Sequence, residues 1–84
     1  MKPVRLSGHA RDSTHYRSAS QAEVIEAIRS AVWTLAEGGR LECRKEFAYQ
    51  AVWNGRFYDT KQVRPVFVEE PGEIVVVTVY VYYY

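Results

Sequence analysis

Hydrophobic positions are densest at the far end of the chain, where Glu73 to Tyr84 reads EIVVVTVYVYYY with no Gly or Pro inside the run. β-Branched residues and tyrosines in unbroken succession predict a strand. A period of two sets Val75, Val77, Val79, Val81 and Tyr83 on one side, facing the core, and Ile74, Val76, Thr78, Tyr80, Tyr82 and Tyr84 on the other. A strand so apolar on both sides invites aggregation at an open edge, so its expected place is inside a sheet, with a helix layer over the valines. Thr78 is either an ordinary strand former or, with Tyr80, part of a ligand-facing surface.

Upstream, Pro3 keeps Lys2 to Leu6 extended, and Ser7 can cap a helix over Gly8 to Arg17. Gly8, Ser13 and Thr14 are poor helix interiors, so this segment needs tertiary support. A second helix opens on the capping box Ser20-Gln21-Ala22-Glu23. Ile25, Ile28, Val32 and Leu35, widened by Val24 and Ala31, give it an apolar stripe to lay on a sheet, and Gly38-Gly39 is its expected stop.

From Leu41 to Trp53 the period returns to two. Cys43, Lys45, Phe47, Tyr49, Ala51 and Trp53 share one side, and Glu42, Arg44, Glu46, Ala48, Gln50 and Val52 the other. Asn54-Gly55 predicts a type I′ hairpin turn, with Trp53 across from Arg56, Val52 from Phe57 and Ala51 from Tyr58. The next strand, about Gln62 to Val68, carries Pro65, which cannot donate to a ladder and marks a bulge or gap. Pro71-Gly72 turns the chain into the last strand. A three-residue loop there sets Arg64 opposite Thr78 and Gln62 opposite Tyr80, and a four-residue loop shifts the pairing by half a step. Two N-terminal helices packed on three or four antiparallel strands predict one α+β domain over residues 1–84.

At 84 residues the chain suffices for one small core. No run approaches the roughly 20 apolar residues of a membrane span, and MKPVRLSGHARD lacks the apolar core of a signal peptide, so a cytoplasmic protein is expected. The single cysteine, Cys43, leaves no internal disulfide and suits a reducing compartment. The net charge of +1 conceals a segmented distribution. Lys2, Arg5, Arg11 and Arg17 outweigh Asp12 at the start; Arg40, Arg44, Lys45, Arg56, Lys61 and Arg64 outweigh Glu42, Glu46 and Asp59 in the middle; Glu69, Glu70 and Glu73 gather at one turn. Side by side, the first segment and the hairpin form a basic patch for a polyanion or an acidic protein. The bland alternative is scattered, solvated charge.

No P-loop, GxSxG elbow, GxGxxG or Cys/His zinc spacing occurs, and neither cofactor nor metal is expected. His9 and His15, six residues apart on a helix, point about 240° apart and cannot share a metal. His9 and Asp12 can meet, which orients the imidazole and favours its charged form. A lone surface histidine is the plainer reading. Histidine, arginines, lysines and strand tyrosines together allow metal-free RNA cleavage. In that reaction the ribose 2′-hydroxyl attacks its own phosphate, His moves the protons, Arg or Lys holds the oxygens that gain charge, and Tyr stacks on bases.

The chain as a whole resembles domain-of-unknown-function family 4258, a group of small bacterial proteins. The matching residues are His9-Ala10 followed by Arg17 and the capped helix at Ser20-Gln21-Ala22-Glu23-Val24, then Gly39-Arg40 with Glu42-Cys43-Arg44-Lys45 and Phe47. They continue through Trp53-Asn54-Gly55, Tyr58, Lys61-Gln62-Val63 with Pro65, Glu69-Glu70, and Glu73 leading to Val75-Val76-Val77-Thr78-Val79-Tyr80. The resemblance implies a RelE-like fold, similar to the RelE, barnase, EndoU and colicin-nuclease group, whose small toxins cleave RNA and are often neutralised by a cognate antitoxin. Carried onto this chain, it implies His9, Arg17, Thr78 and Tyr80 as catalytic positions, with His9 for proton transfer and Tyr80 for base contact. Arg44, Lys45, Lys61 and Arg64 are then the substrate-binding positions. The expected function is a metal-independent endoribonuclease toxin with RNA and an antitoxin as partners. The alternative is a non-catalytic module that binds RNA on its basic sheet face, or pairs a strand edge with a protein partner or a second copy as a homodimer.

Overall fold

The β-rich second half of the chain builds a sheet, and the two short helices cover one face of it. The computed structural model describes residues 1–84. In chain order it holds β1 (Val4–Leu6), α1 (Gly8–Tyr16), α2 (Gln21–Ser30), β2 (Thr34–Leu35), β3 (Leu41–Glu42), β4 (Lys45–Trp53), β5 (Arg56–Glu69) and β6 (Ile74–Tyr83). The α+β class is as expected, but the sheet has six strands in the order β1-β6-β5-β3-β2, with β4 also on β5. It is mixed, not purely antiparallel, because β1 runs parallel to β6. The added strands β1 and β2 are three and two residues long, too short to leave a periodic signal in the sequence. No helix is long and apolar enough to cross a membrane.

Ser7 caps α1 by accepting from the Ala10 amide at 3.1 Å, and Ser20 and Glu23 complete the capping box of α2. α2 ends at Ser30, well before Gly38-Gly39. The β-favouring run Val32-Trp33-Thr34 leaves the helix, and the Trp33 indole N–H donates to the Ile28 carbonyl at 2.8 Å while its ring packs edge-on to Phe67. Val32 and Leu35 therefore stand exposed rather than in an apolar stripe. The two glycines, both at positive φ, instead serve the turn from β2 to β3.

The Asn54-Gly55 hairpin forms with the expected pairs, and both turn residues have positive φ. β3 and β4 keep one register against β5, Leu41 opposite Phe67 and Lys45 opposite Val63. Between them the Cys43 amide donates to the Pro65 carbonyl at 3.3 Å, and Pro65 has no N–H to return, so the ladder breaks there. β5 extends through the hairpin, beyond the expected Gln62 to Val68. Next to the Pro71-Gly72 turn Glu69 pairs with Ile74, as a four-residue loop requires; an irregularity at Val77 then adds one residue, setting Arg64 opposite Tyr80 and Val66 opposite Thr78.

That extra residue also exchanges the faces of β6. Ile74 and Val76 are buried before it and Val79 after it, so Val75 and Val77 do not belong to the core as the alternation predicts. The core joins Leu6 and Ala10 to Val24, Ala27 and Ile28 of α2 and to Val63, Phe67, Ile74, Val76 and Val79 of the sheet. α1 lies over β6 and β1, α2 over β5. β1 and β4 stand on opposite sides of the β5–β6 pair, so Lys2 and Arg5 of the N-terminal segment do not join the cations of the hairpin. Lys2 and Arg5 pair with Glu69 and Glu73 instead.

Candidate functional site on the open sheet face

The face without helices is a grid set by register. Glu42, Val66 and Thr78 form one row, and Arg64 and Tyr80 lie in the next. Arg44 occupies the position across from Arg64, because β3 and β4 share a register. Arg64 bonds the Glu42 carboxylate and lies 5.8 Å from the centre of the Tyr80 ring. Arg17, at the C-terminal cap of α1, approaches the same ring to 5.5 Å and donates to the Val79 carbonyl at 2.6 Å. Two guanidiniums thus flank one tyrosine, each contact contributing about 0.5–1 kcal/mol at an exposed site.

Arg40, Glu42, Arg64, Val66, Thr78 and Tyr80 line a groove of about 390 Å³. A smaller hollow of about 160 Å³ lies on the other side of the Glu42–Arg64 pair, lined by Thr34, Cys43 and Arg44. The bond to Glu42 raises the Arg64 pKa, with Tyr82 adding to it, so the guanidinium stays charged. Burial, reinforced by the charge of Glu42, pushes the Cys43 thiol up to about 11. A protonated thiol is no nucleophile at neutral pH. No three His, Cys, Asp or Glu side chains gather closely enough to share a metal ion.

Of the residues the sequence nominates, Arg17, Arg44, Arg64, Thr78 and Tyr80 come together here. His9, Lys45 and Lys61 do not. His9 is exposed near the start of α1, roughly 12 Å along the helix axis from Arg17 at 1.5 Å per residue. Although His9 and Asp12 are spaced to meet, no hydrogen bond or ion pair joins them. Lys45 reaches Glu26 and the Ser30 hydroxyl of α2. Lys61 is buried, donating to the Ser18 carbonyl at 3.0 Å and to Glu23 at 2.9 Å, with the Tyr49 ring beside it. Both lysines fall on the helix-covered side because they are out of phase with Arg44 and Arg64.

Three charged groove residues are not among the nominated ones: Glu37, Arg40 and Glu42. Glu42 was legible: it alternates with Arg44 on the side opposite Cys43. Glu37 and Arg40 were not, since their positions depend on the glycine turn. Behind the groove, Tyr83 donates its hydroxyl to the Arg17 carbonyl and is packed by Tyr49 and by a stacked Trp53. This fixes the end of α1 from which Arg17 reaches Tyr80.

Compared with known proteins, the chain matches no protein-family model, no curated protein and no solved structure. Its function must be argued from the groove itself. Guanidiniums there can hold oxyanions, a carboxylate can accept a proton, and an exposed aromatic ring can stack on a base.

Proposed function

We propose that the chain is a metal-independent endoribonuclease of the RelE-like small-toxin kind that the family resemblance implies, working in the groove of the open sheet face. The observation that carries this reading is the Glu42 carboxylate bonded to Arg64 beside Tyr80, with Arg40 lining the same groove. A carboxylate among cations weakens a surface meant only to hold a polyanion, whereas attack by a 2′-hydroxyl needs a base there. Glu42 takes the 2′-hydroxyl proton as the 2′-oxygen bonds to phosphorus; the P–O5′ bond breaks, and the 5′-oxygen leaves with a proton from water. Arg64 and Arg44 hold the phosphate oxygens as their charge grows, and Tyr80, steadied by Arg17, stacks on a base beside Thr78. In this scheme Glu42 fills the proton-transfer role that the resemblance gives to His9. An acidic antitoxin is the inhibitor whose charge suits the groove.

One observation favours non-catalytic RNA binding: Tyr80, Tyr82 and Tyr84 stand exposed at every second position of β6, a row suited to stacking. The two readings part on incubation of purified protein with structured RNA in excess EDTA. Wild type and His9→Ala should both leave 2′,3′-cyclic phosphate ends, while Glu42→Gln slows cleavage by about 10²–10⁴-fold and binds no more weakly. Loss of cleavage in His9→Ala alone returns proton transfer to His9. Intact RNA, bound with a steep salt dependence, makes the chain a binding module.

A further inference from the structure

One edge of β6 carries no strand along most of its length. Tyr84 exchanges both backbone bonds with Thr60, at 2.8 and 3.0 Å. Exchanging pairs recur at every second residue of an antiparallel ladder, so Tyr82, Tyr80 and Thr78 also turn their N–H and C=O groups toward β5. Val79, Val81 and Tyr83 turn theirs outward. β1 covers that side only from Ile74 to Val76. Arg17 takes the Val79 carbonyl. The outward groups of Val81 and Tyr83 face no other strand of the chain.

Open edges are normally defended by charge, proline or bulges. The edge of β4 is defended in this way, by Arg44, Lys45 and Glu46 and by the irregularity at Gln50, whose φ is 48°. From Thr78 to Tyr84 the chain has no charged side chain, no Pro and no Gly.

We propose that a second copy of this chain pairs with this edge, β6 antiparallel to β6, about a two-fold axis at Tyr82. A two-fold contact sets each residue on the axis against its own copy, which a charged edge resists and an uncharged one accepts. The free groups fix the register. Val81 of each protomer exchanges two bonds with the partner's Tyr83, four bonds in all, and Tyr82 faces the partner's Tyr82. An axis at Val81 instead would pull the Val79 carbonyl from Arg17. With the axis at Tyr82 the pairing bonds fall at Val81 and Tyr83, and the bonds that α1 and its caps make to the edge, at Val76, Val77 and Val79, are left in place.

Helices of both copies then cover one side of a continuous sheet, and the two arginine–tyrosine grooves open on the other. Four backbone bonds and the few side chains around the axis fall well short of the roughly 1,600 Å² of a standard interface, so the dimer is reversible with concentration. This pairing is independent of the RNA reading, and its test contains no RNA.

Sedimentation equilibrium over micromolar to millimolar protein should show the mean mass rising from 9.7 kDa toward about twice that value. Tyr82 is 45% exposed, so Tyr82→Lys and Tyr82→Glu should both fold, as circular dichroism can check, and each should stay monomeric where the wild type dimerises. An equimolar mixture of the two should recover the dimer, since opposite charges then meet at the axis. A wild type that stays monomeric throughout, a dimer indifferent to both substitutions, or a mixture that remains monomeric would each overturn the proposal.

Discussion

Lys61 and Arg64 sit three residues apart on β5, and the two faces of the sheet give them opposite work. Lys61 faces the helices, its side chain 8% exposed, and ties the Ser18 carbonyl and Glu23 together where α1 passes into α2. Ser18 there has a φ of 58°, a conformation uncommon for serine, and the lysine bond anchors it. Arg64 faces the open side, 34% exposed, paired to a single carboxylate and resting on an aromatic ring. Residue type does not separate the two cations. Phase along the strand does, so charge counted along a sequence overstates the charge available to a ligand.

The sharpest way to break the comparison is on the covered face. Lys61→Ala leaves the Ser18 carbonyl without a donor and Glu23 with only the Ser20 amide, and opens space beside Tyr49. Loss of one partner from a mostly buried pair should destabilise by roughly 3 kcal/mol, or on the order of 15 °C in Tm for a domain of this size. Lys61→Met loses the same donor but keeps the packing, so it should be destabilised less only by the cost of the cavity. Thermal melts of the two variants measure the difference, and equal Tm values for both and for wild type would mean that the pair does not hold the corner.

A smaller effect on the same face is set by pH. Burial pushes Tyr83 from 10.0 up to about 12 and Cys43 from 9.0 up to about 11. Above pH 9 the unfolded chain releases protons that the folded chain retains, so stability is full below that pH and falls as pH rises toward 12. Tyr83→Phe removes the hydroxyl that donates to the Arg17 carbonyl, which should lower stability by about 1 kcal/mol at neutral pH. The same change should flatten the decline between pH 10 and 12. Denaturant titrations at stepped pH read both, and an unaltered alkaline limb would remove Tyr83 as its source.

What could be read without the structure was what neighbours in sequence decide. The Ser20–Glu23 capping box and the Asn54-Gly55 turn depend on residues within a few positions of each other, and both form as the sequence predicts. So does the break at Pro65, since a missing N–H is a property of the residue. Alternation misplaces Val75 and Val77 of β6, but not Val79, Val81 and Tyr83, because one extra residue at Val77, visible only against β5, reverses a period of two. The end of α2 was missed because Trp33 finds Phe67, a partner 34 positions away in the chain. Within the site, the face of Arg64 depended on strand register, which alternation left open: the irregularity between Ala48 and Ala51 brings it opposite Arg44, and the meeting of Arg17 with Tyr80 required the packing of α1 on β6.

The gentlest test keeps the fold and asks only which face meets the ligand. Arg64→Ala removes a partly exposed pair, so its effect on Tm should be small, under about 1 kcal/mol of stability. If Arg64 holds a phosphate, the same change should weaken RNA binding about tenfold and reduce the slope of log affinity against log salt by about one. Glu42→Gln should move affinity the other way, because it removes a negative charge from the groove while leaving Arg64 in place. Lys61→Met, if it folds, should leave the slope unchanged, since its ammonium never reaches the open face. Fluorescence anisotropy with a short single-stranded RNA at several salt concentrations compares the three variants directly. A slope that follows Lys61 and ignores Arg64 would place the ligand among the helices, and the open face would then be a sheet surface with no ligand of its own.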